Sequence, residues 1–504
     1  MGADSSHSLT ILLTVNNMVC DDQVMEDICD MDGESLLRLL SVGAVTSRQV
    51  TEASIERIEA LNPEVTAFVS VCFDAALASA ELADRDRRAG RALGLLAGLP
   101  VAVKDLNDVA GLPTTFGSPL YADNTATADD DVVAALRSSN GVIMGKTNVP
   151  EHGFGATTTN PLFGSSRNPF DPCLSAGAST GGGAVAVAAG MVPYASGSDF
   201  AGSLRTPASF CGISGIRPSN GVVATKRRSM AWSSFDVEGP MARTAADCKR
   251  LLASMSRLDS HDPLSTTPDP HLFHPPATVD LGGLRVAVSE DLGFAPMCQA
   301  NRAAFRAKLA KFAGLFACVE EAYPDLGDAE HTFMTLRGVG FVADFGPMEA
   351  EFGERLGTVV LDELSRARSL GVEEIGQAMK AHTAVFRKSV EFFDKHDILI
   401  TPAASVAPFP HEDVFPRKVD GKDLNGYLIW EGIAWGITLT QCPAVVIPCG
   451  YDAQGLPFGI QIVAGHHRDG WLLDVAHTLE IAFLGDDDLG RPMPDLARLT
   501  RLRK

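Results

Sequence analysis

Short apolar runs alternate with helical patterns along this chain, and that alternation limits the fold more than any other feature of the sequence. Five runs have the length and composition of buried strands: LAGLPVAVKDL, GVIMGKTN, LRVAVSE, DILITPA and PAVVIPCG. Helical patterns lie between several of them, as in DDDVVAALRSS and GGGAVAVAAG. Strands that alternate with helices in this way predict an α/β fold, in which helices cover a largely buried sheet.

The length of the chain leaves its domain number open. At 504 residues it exceeds the size at which one core usually stops growing, so two domains or one large α/β domain both fit. Residues 1–30 are acidic and lack clear periodicity, which predicts an N-terminal extension ahead of a body of residues 31–504. Within that body Thr46 is predicted to cap a helix, and Pro63 is predicted to follow its end.

Charge and cysteine usage exclude several classes of partner. The chain has 42 Lys plus Arg against 63 Asp plus Glu, and a net charge of -21 would repel phosphate backbones and anionic lipid surfaces. We therefore expect neither nucleic acid nor membrane as a partner. The ten cysteines are scattered without a C-x-x-C pair, which predicts a reducing, cytoplasmic setting and no structural zinc.

Two serines in glycine-rich stretches are candidate nucleophiles. Ser179 in SAGASTGGGAVAVAAG fits the G-x-S-x-G pattern of a nucleophile elbow, which directly follows a buried strand. Residues 167–178 contain two prolines and almost no apolar run, so the elbow interpretation fails on context. Ser203 lies in a small-residue loop after the strand-like MVPYAS, where successive backbone N–H groups can point at one oxyanion. Ser203 is therefore the better candidate.

A serine nucleophile needs a base, and Lys104 is the best candidate for it. The histidines lie outside the two serine loops, although His152 follows KTNVPE, whereas Lys104 ends a predicted buried strand. A free lysine has a pKa near about 10.4, so acting as a base at neutral pH requires a reduction of roughly three units. Burial away from compensating charge supplies such a reduction.

Six segments, in this order, resemble the amidase signature family. They are GLPVAVKDLNDVAGLPTTFGS, GKTNVPEHGFGATTTN, ASTGGGAVAVAAG, GSDFAGSLRTPASFCGISGIRPSNG, SSFDVEGPMARTAADC and GLPFGIQIVAG. The resemblance covers roughly residues 35–485. It implies one three-layer α/β/α domain with a large mixed central sheet, over residues 31–504, and a reaction that uses no metal or organic cofactor.

The resemblance also implies roles for particular residues. Ser203 is the nucleophile, Ser179 is a bridging serine with a cis peptide bond, and Lys104 is the base. The implied oxyanion and substrate-binding residues are Phe200, Ala201 and Gly202, with the backbone of Ser203, together with Thr180 and Phe154. Asp199 and Arg205 form a supporting pair.

Of the positions that depart from the family pattern, two bear most on the site. The family usually has a second serine where this chain has Thr180, and a glycine where it has Ala201. Thr180 keeps a hydroxyl, whereas Ala201 narrows the backbone angles open to the oxyanion loop, so adjusted geometry is expected there. Phe200 has two interpretations: it shapes the acyl side of the pocket, or it packs below it.

Aromatic residues in the second half bear on the substrate. Core packing and pocket lining both fit them, and we take Phe341, Trp430 and Trp435 as pocket candidates. The predicted function is hydrolysis of small-molecule carboxylic amides through an acyl-enzyme on Ser203, with aryl or acyl amides, esters and carbamates as substrates. The alternatives are a glutaminase-like subunit of a tRNA-dependent amidotransferase and an inactive binding protein of the same fold. A homodimer is left open.

Overall fold

The computed structural model describes residues 28–424 and 426–501. The predicted N-terminal extension, residues 1–30, lies outside these ranges except for its last three residues. Across the described ranges, no helix combines the length and the apolar composition that a membrane span requires.

The strands follow the chain from residue 68 to residue 464. They are β1 (Phe68–Val71), β2 (Pro100–Lys104), β3 (Val142–Thr147), β4 (Thr159–Asn160), β5 (Gly164–Ser165), β6 (Tyr194–Asp199), β7 (Ser214–Arg217), β8 (Val237–Ala242), β9 (Arg285–Val288), β10 (Cys318–Glu321), β11 (Ile398–Pro402), β12 (Lys418–Val419), β13 (Lys422–Asp423), β14 (Ala444–Tyr451) and β15 (Pro457–Ala464). Each of the five runs predicted as strands is present, as β2, β3, β9, β11 and β14.

The helices lie before, between and after these strands. They are α1 (Gly33–Ser41), α2 (Ser47–Val65), α3 (Phe73–Arg88), α4 (Asp131–Ser138), α5 (Gly181–Ala188), α6 (Arg205–Phe210), α7 (Ala245–Met255), α8 (Gln299–Phe312), α9 (Ala329–Phe352), α10 (Thr358–Ala367), α11 (Val372–Phe393), α12 (Gly432–Thr440), α13 (Asp469–Phe483) and α14 (Leu496–Arg501).

Eleven of the strands form one mixed sheet, in the order β1-β3-β2-β6-β8-β7-β14-β15-β11-β9-β10. Neighbours are parallel from β3 to β6 and from β11 to β10, and antiparallel through the centre from β6 to β11. The predicted mixed central sheet is confirmed.

Helices cover both faces of this sheet. Successive strand residues point to opposite faces, so Val101 and Val103 join one core cluster while Ala102 joins another. The first cluster contains side chains of α1, α4, α7, α8 and α13, and the clusters on the opposite face contain side chains of α3, α5, α9, α11 and α12. The predicted three-layer α/β/α architecture is therefore confirmed.

The second helix confirms one predicted boundary and corrects the other. Thr46 caps α2, since its side chain accepts a hydrogen bond from the Gln49 N–H. The prediction that Pro63 follows the helix is wrong, because α2 runs on to Val65 and contains Pro63. A proline lacks the N–H that would donate to the carbonyl of the residue four positions earlier, which is Glu59. Glu59 is exposed, so water can donate a hydrogen bond to that carbonyl instead.

The sheet gathers several polar strand ends at one edge. β2 and β6 run parallel, so their last residues, Lys104 and Asp199, meet at that edge. β8 is antiparallel to β6 and therefore begins there, with Glu238 opposite Ser198. Polar groups from three neighbouring strands converge at this place, which is where ligands commonly bind in sheets of this class.

Candidate active site

Lys104 is completely buried at the end of β2, and its amine is surrounded by oxygen atoms. Its Nζ donates to Ser179 Oγ at 2.8 Å, to Ser198 Oγ at 3.0 Å and to the Ser198 carbonyl at 3.4 Å. Ser179 lies just before α5, and its peptide bond with Ala178 is cis. The structure thus joins two of the three predicted catalytic residues directly.

Burial controls the protonation of this amine. It lowers the pKa of Lys104 to about 8, although the carboxylates of Glu238, Asp236 and Asp199 act in the opposite direction. None of these carboxylates lies within ion-pair distance of Nζ in the described chain. A lysine in such surroundings can accept a proton near neutral pH.

Ser203 lies in the loop between β6 and α6 and lines the same cavity as Ser179 and Ser198. The N–H of Thr180 donates to the Ser203 carbonyl at 3.2 Å, which holds the two serine loops together. Among the described contacts, no hydrogen bond involves the Ser203 hydroxyl, and none joins it to Ser179 Oγ. The Ser203 hydroxyl is therefore free to meet a ligand in the cavity.

The Asp199 carboxylate fixes this loop from below. It accepts hydrogen bonds from Nε and Nη2 of Arg205 at 3.0 and 2.9 Å. It also accepts hydrogen bonds from the backbone N–H groups of Gly202 and Leu204 at 3.0 and 3.1 Å. Burial alone would raise the pKa of Asp199, but Arg205 and Arg217 outweigh it and hold that pKa well below its usual range. The predicted supporting pair is present, and it binds the loop backbone as well.

One predicted oxyanion donor needs correction. The N–H of Gly202 is already bonded to Asp199, so it is not available, whereas those of Phe200, Ala201 and Ser203 have no acceptor within the described residues. Gly202 has φ +129°, and a Cβ there would lie 2.7 Å from the Cβ of Ala434. The positive φ that this loop requires is therefore at Gly202, while Ala201 keeps a negative φ.

The cavity in front of Ser203 has a volume of about 580 Å³ and is rich in aromatic side chains. Phe154 and Phe341 line it with their ring centroids 4.6 Å apart, and Phe345 lies beside both. Phe200 lines the cavity and also packs edge-on against buried Phe333. This volume fits a small organic molecule.

Several predicted site residues do not line this cavity, among them Trp430, Trp435 and Thr180. Trp430 is fully buried and packs against Phe409. Trp435 stacks on Phe333 at 5.0 Å and donates its ring N–H to the Leu428 carbonyl, so both tryptophans belong to the core. Thr180 is buried as well, and its hydroxyl donates to the Ser198 carbonyl at 3.3 Å.

Several polar residues of the cavity wall were not predicted from the sequence. Burial raises the pKa of Glu238 to about 7 and that of Glu431 to about 8, and it lowers the pKa of His152 to about 4. Two of the missed residues had a signal in the sequence: Glu238 interrupts the otherwise apolar VEGPMA, and Ser198 directly precedes Asp199. The other missed lining residues include Asp236, Arg227, Arg228 and Arg337.

Comparison with known proteins identifies the family to which this site belongs. The family model described as Amidase matches residues 49–473 of this chain. The chain belongs to the amidase signature family. It is an amide-hydrolysing enzyme, because the family match agrees with its relatives and with solved structures.

Two curated relatives of this amidase extend over most of its length. The acylamidase of Rhodococcus erythropolis is 34% identical over 439 residues, which are 86% of this chain and 92% of that protein. A glutamyl-tRNA(Gln) amidotransferase subunit from Chloroflexus aurantiacus is 32% identical over 465 residues, which are 88% of this chain and 94% of that protein.

Solved structures agree with this assignment. A bacterial aryl acylamidase of the amidase signature family has a TM-score of 0.83 at 25% identity, and the match covers 92% of this amidase and 99% of that chain. A 6-aminohexanoate cyclic dimer hydrolase has a TM-score of 0.78 at 26% identity, covering 93% of this amidase and 99% of that chain.

Proposed function

We propose that this amidase hydrolyses small-molecule acyl amides through an acyl-enzyme on Ser203. The single observation that carries the proposal is the 2.8 Å hydrogen bond between Lys104 and Ser179, in the wall of the cavity that Ser203 lines. A neutral Lys104 takes a proton from Ser179, and Ser179 takes one from Ser203 as the Ser203 oxygen attacks the amide carbonyl.

The remaining steps use the same groups. Attack places negative charge on the carbonyl oxygen, and the N–H groups of Phe200, Ala201 and Ser203 are the available donors to it. The proton held at Lys104 returns through Ser179 to the leaving nitrogen as the carbon–nitrogen bond breaks. Water then attacks the acyl-enzyme and loses a proton to the same relay. The relay returns that proton to the Ser203 oxygen as the acyl–oxygen bond breaks and the acid leaves.

The shape of the cavity supports an aromatic or other bulky apolar group on the substrate. Phe154, Phe341 and Phe345 supply an apolar wall, and the relatives named acylamidase and aryl acylamidase agree with such a substrate. Esters and carbamates are included in the proposal, because attack on their carbonyl gives the same type of covalent intermediate.

A second candidate is supported by the relative from Chloroflexus aurantiacus, which belongs to an amidotransferase. In that case this amidase is the glutaminase-like member of a complex and supplies ammonia from glutamine. Glutamine hydrolysis together with co-purification of a larger partner would favour this candidate. Turnover of aryl amides by the isolated chain, without activity on glutamine, would favour the first.

Labelling with a fluorophosphonate tests the proposed nucleophile without knowledge of the substrate. The reagent forms a covalent phosphonyl adduct with activated serines, and peptide mapping locates that adduct. We expect a single adduct on Ser203, none in Ser203→Ala, and slow labelling of Ser203 in Ser179→Ala because the relay is broken. An adduct on Ser179 in the wild type, or none at all, would contradict the proposed function.

Assembly and location complete the proposal. We include a cytoplasmic location, no nucleic-acid partner and a homodimer as the form to be tested first. Light scattering behind a sizing column would give twice the chain mass for a dimer. A mass of one chain would reject it, and fractionation of the source cells would test the location.

A further inference from the structure

Glu238 lies next to the proposed base through the pairing of two strands. It is opposite Ser198 in the antiparallel ladder of β6 and β8. Side chains of directly opposed residues lie on one face of a sheet, with Cβ atoms about 4.5–5.5 Å apart. Both the hydroxyl and the carbonyl of Ser198 accept hydrogen bonds from Lys104 Nζ. The pairing therefore places the Glu238 carboxyl beside the surroundings of the Lys104 amine.

The contacts of Glu238 leave half of its carboxyl unused. The residue is 6% exposed and lines the cavity. Its Oε1 accepts from Asn107 Nδ2 at 3.1 Å, whereas Oε2 is buried without a hydrogen-bond partner in the described structure. The backbone N–H of Asn107 donates to the carbonyl of Lys104 at 3.0 Å. Asn107 thus holds Glu238 in a fixed place relative to Lys104.

The charges around the two groups can be named element by element. Lys104 on β2 faces Glu238 on β8, Asp236 just before β8 and Asp199 on β6, which favour its charged form, and Arg227, which opposes it. Glu238 is the strongest of these four. Glu238 itself faces Arg227, Asp236 and Lys104, while burial raises its pKa to about 7.

Three other titratable groups near the site do not take this role. Asp199 stays charged because Arg205 and Arg217 hold it. His152 is neutral near pH 7, since burial lowers its pKa to about 4. Glu431 lies beside the nucleophile loop, where its Oε1 would be 3.6 Å from a Cβ built on Gly202.

We propose that Glu238 is a positioning residue that sets the proton state of Lys104, and with it the pH range over which Ser203 is activated. This inference rests on the proposed function. An ionised Glu238 favours the ammonium form of Lys104, which cannot accept a proton. A protonated Glu238 removes that attraction, so Lys104 loses its proton at a lower pH. The pair therefore controls at which pH the relay becomes competent.

The pH dependence of Ser203 labelling tests this role. The labelling rate of wild type and of Glu238→Gln is followed between about pH 5 and about pH 10. Glutamine keeps the shape of the side chain and an acceptor for Asn107, but it has no charge. We expect the pH of half-maximal labelling to fall by about one unit in Glu238→Gln, with the plateau rate retained. An unchanged or higher half-maximal pH would overturn the inference.

Two further variants give matched controls. Glu431→Gln removes another buried carboxyl of the same cavity. Glu431 is not among the strongest charges acting on Lys104, so we expect the half-maximal pH of this variant to stay at the wild-type value. Glu238→Asp keeps the charge, so its half-maximal pH stays closer to wild type than that of Glu238→Gln. An equal shift in Glu431→Gln would show a general effect of cavity charge and overturn the role of Glu238.

A second route covers a Glu238→Gln protein that does not fold. Asn107→Ala removes the donor that favours ionised Glu238, so Glu238 protonates more readily and the half-maximal pH again falls, by a smaller amount. No shift in Asn107→Ala would contradict the inference. If Ser203 is labelled in the wild type but the half-maximal pH does not shift in these variants, only the role of Glu238 is rejected. If Ser203 is not labelled in the wild type, the proposed function and this inference are rejected together.

Discussion

At the scale of single residues, the environment of a buried lysine decides its chemistry. Lys104, Lys146 and Lys249 are all almost completely buried. Lys146 pairs with Asp105 at 2.9 Å and Lys249 pairs with Asp474 at 2.7 Å, so each has a carboxylate that favours its charged form. The Lys104 amine instead contacts hydroxyl and carbonyl oxygens. Of these lysines, Lys104 is the one whose surroundings suit a base.

Replacing Lys104 by methionine is expected to lower the rate of Ser203 labelling by about 10²–10⁴-fold at neutral pH, the usual contribution of a general base. The measurement is the labelling rate, with thermal unfolding as a check on the fold. The matched control is Lys146→Met, which leaves Asp105 buried without its ion pair and is expected to cost about 3–5 kcal/mol of stability. Equal labelling of Lys104→Met and wild type would contradict the assignment of the base.

The pH profile of the wild-type enzyme follows from the same residue. Burial lowers the pKa of Lys104 to about 8, and the neutral amine, which is the proposed base, predominates above that pH. We therefore expect kcat/KM to rise about tenfold per pH unit on the acid side and to level off above about pH 8. A pH profile measured on any turned-over amide checks this. A kcat/KM that falls as the pH rises through this range would contradict a role for the neutral Lys104 amine as the base.

At the scale of elements, the site depends on how β6 connects to α6. Asp199 ends the strand, Arg205 begins the helix, and their buried bidentate pair closes the loop that carries Ser203. The same carboxylate binds two N–H groups of the loop. The loop is thus held by the buried Asp199–Arg205 pair and by hydrogen bonds from its own backbone to the same carboxylate.

Arg205→Met is expected to destabilise the fold by about 3–5 kcal/mol, because it leaves the buried Asp199 carboxylate without its main partner. Chemical unfolding measures the loss. Arg48→Met, which removes an exposed pair with Glu52, is expected to leave the unfolding midpoint unchanged. Equal effects of the two substitutions would show that the Asp199–Arg205 pair does not stabilise this loop.

The elements also show what the sequence could predict. PVAVK is predicted as a strand because it is a short apolar run, and its end places Lys104 correctly. Helix α12, GIAWGITLT, is buried on all sides, so it offers no polar face that would separate pocket residues from core residues. For this reason Trp435 could not be assigned from sequence. Glu238 was missed because strand pairing, which is not local in sequence, places it beside Ser198.

At the scale of the whole molecule, the cavity is assembled from two distant parts of the chain. Ser179 and Ser203 come from the first half, whereas Phe341 and Phe345 come from α9 in the second half. The two phenylalanines are four residues apart and so share one face of that helix. No local pattern indicates that this face lies over the sheet edge, since that position results from the packing of all three layers. The catalytic motifs were therefore predictable, while the wall of the pocket was only partly so.

Phe341→Ala tests whether this wall selects the substrate. Burying a phenylalanine-sized apolar surface contributes about 1.5–3 kcal/mol, so its loss is expected to lower kcat/KM for aryl amides by roughly 10–100-fold. Phe341→Leu, which refills part of the space, is expected to lose less. Short aliphatic amides lack the aromatic group that this wall is proposed to contact, so their kcat/KM should change little, and Phe273→Ala, half exposed elsewhere, serves as the control. Equal losses for aryl and short amides would mean that Phe341 supports the fold of the site, and that its ring does not recognise the aromatic group of the substrate.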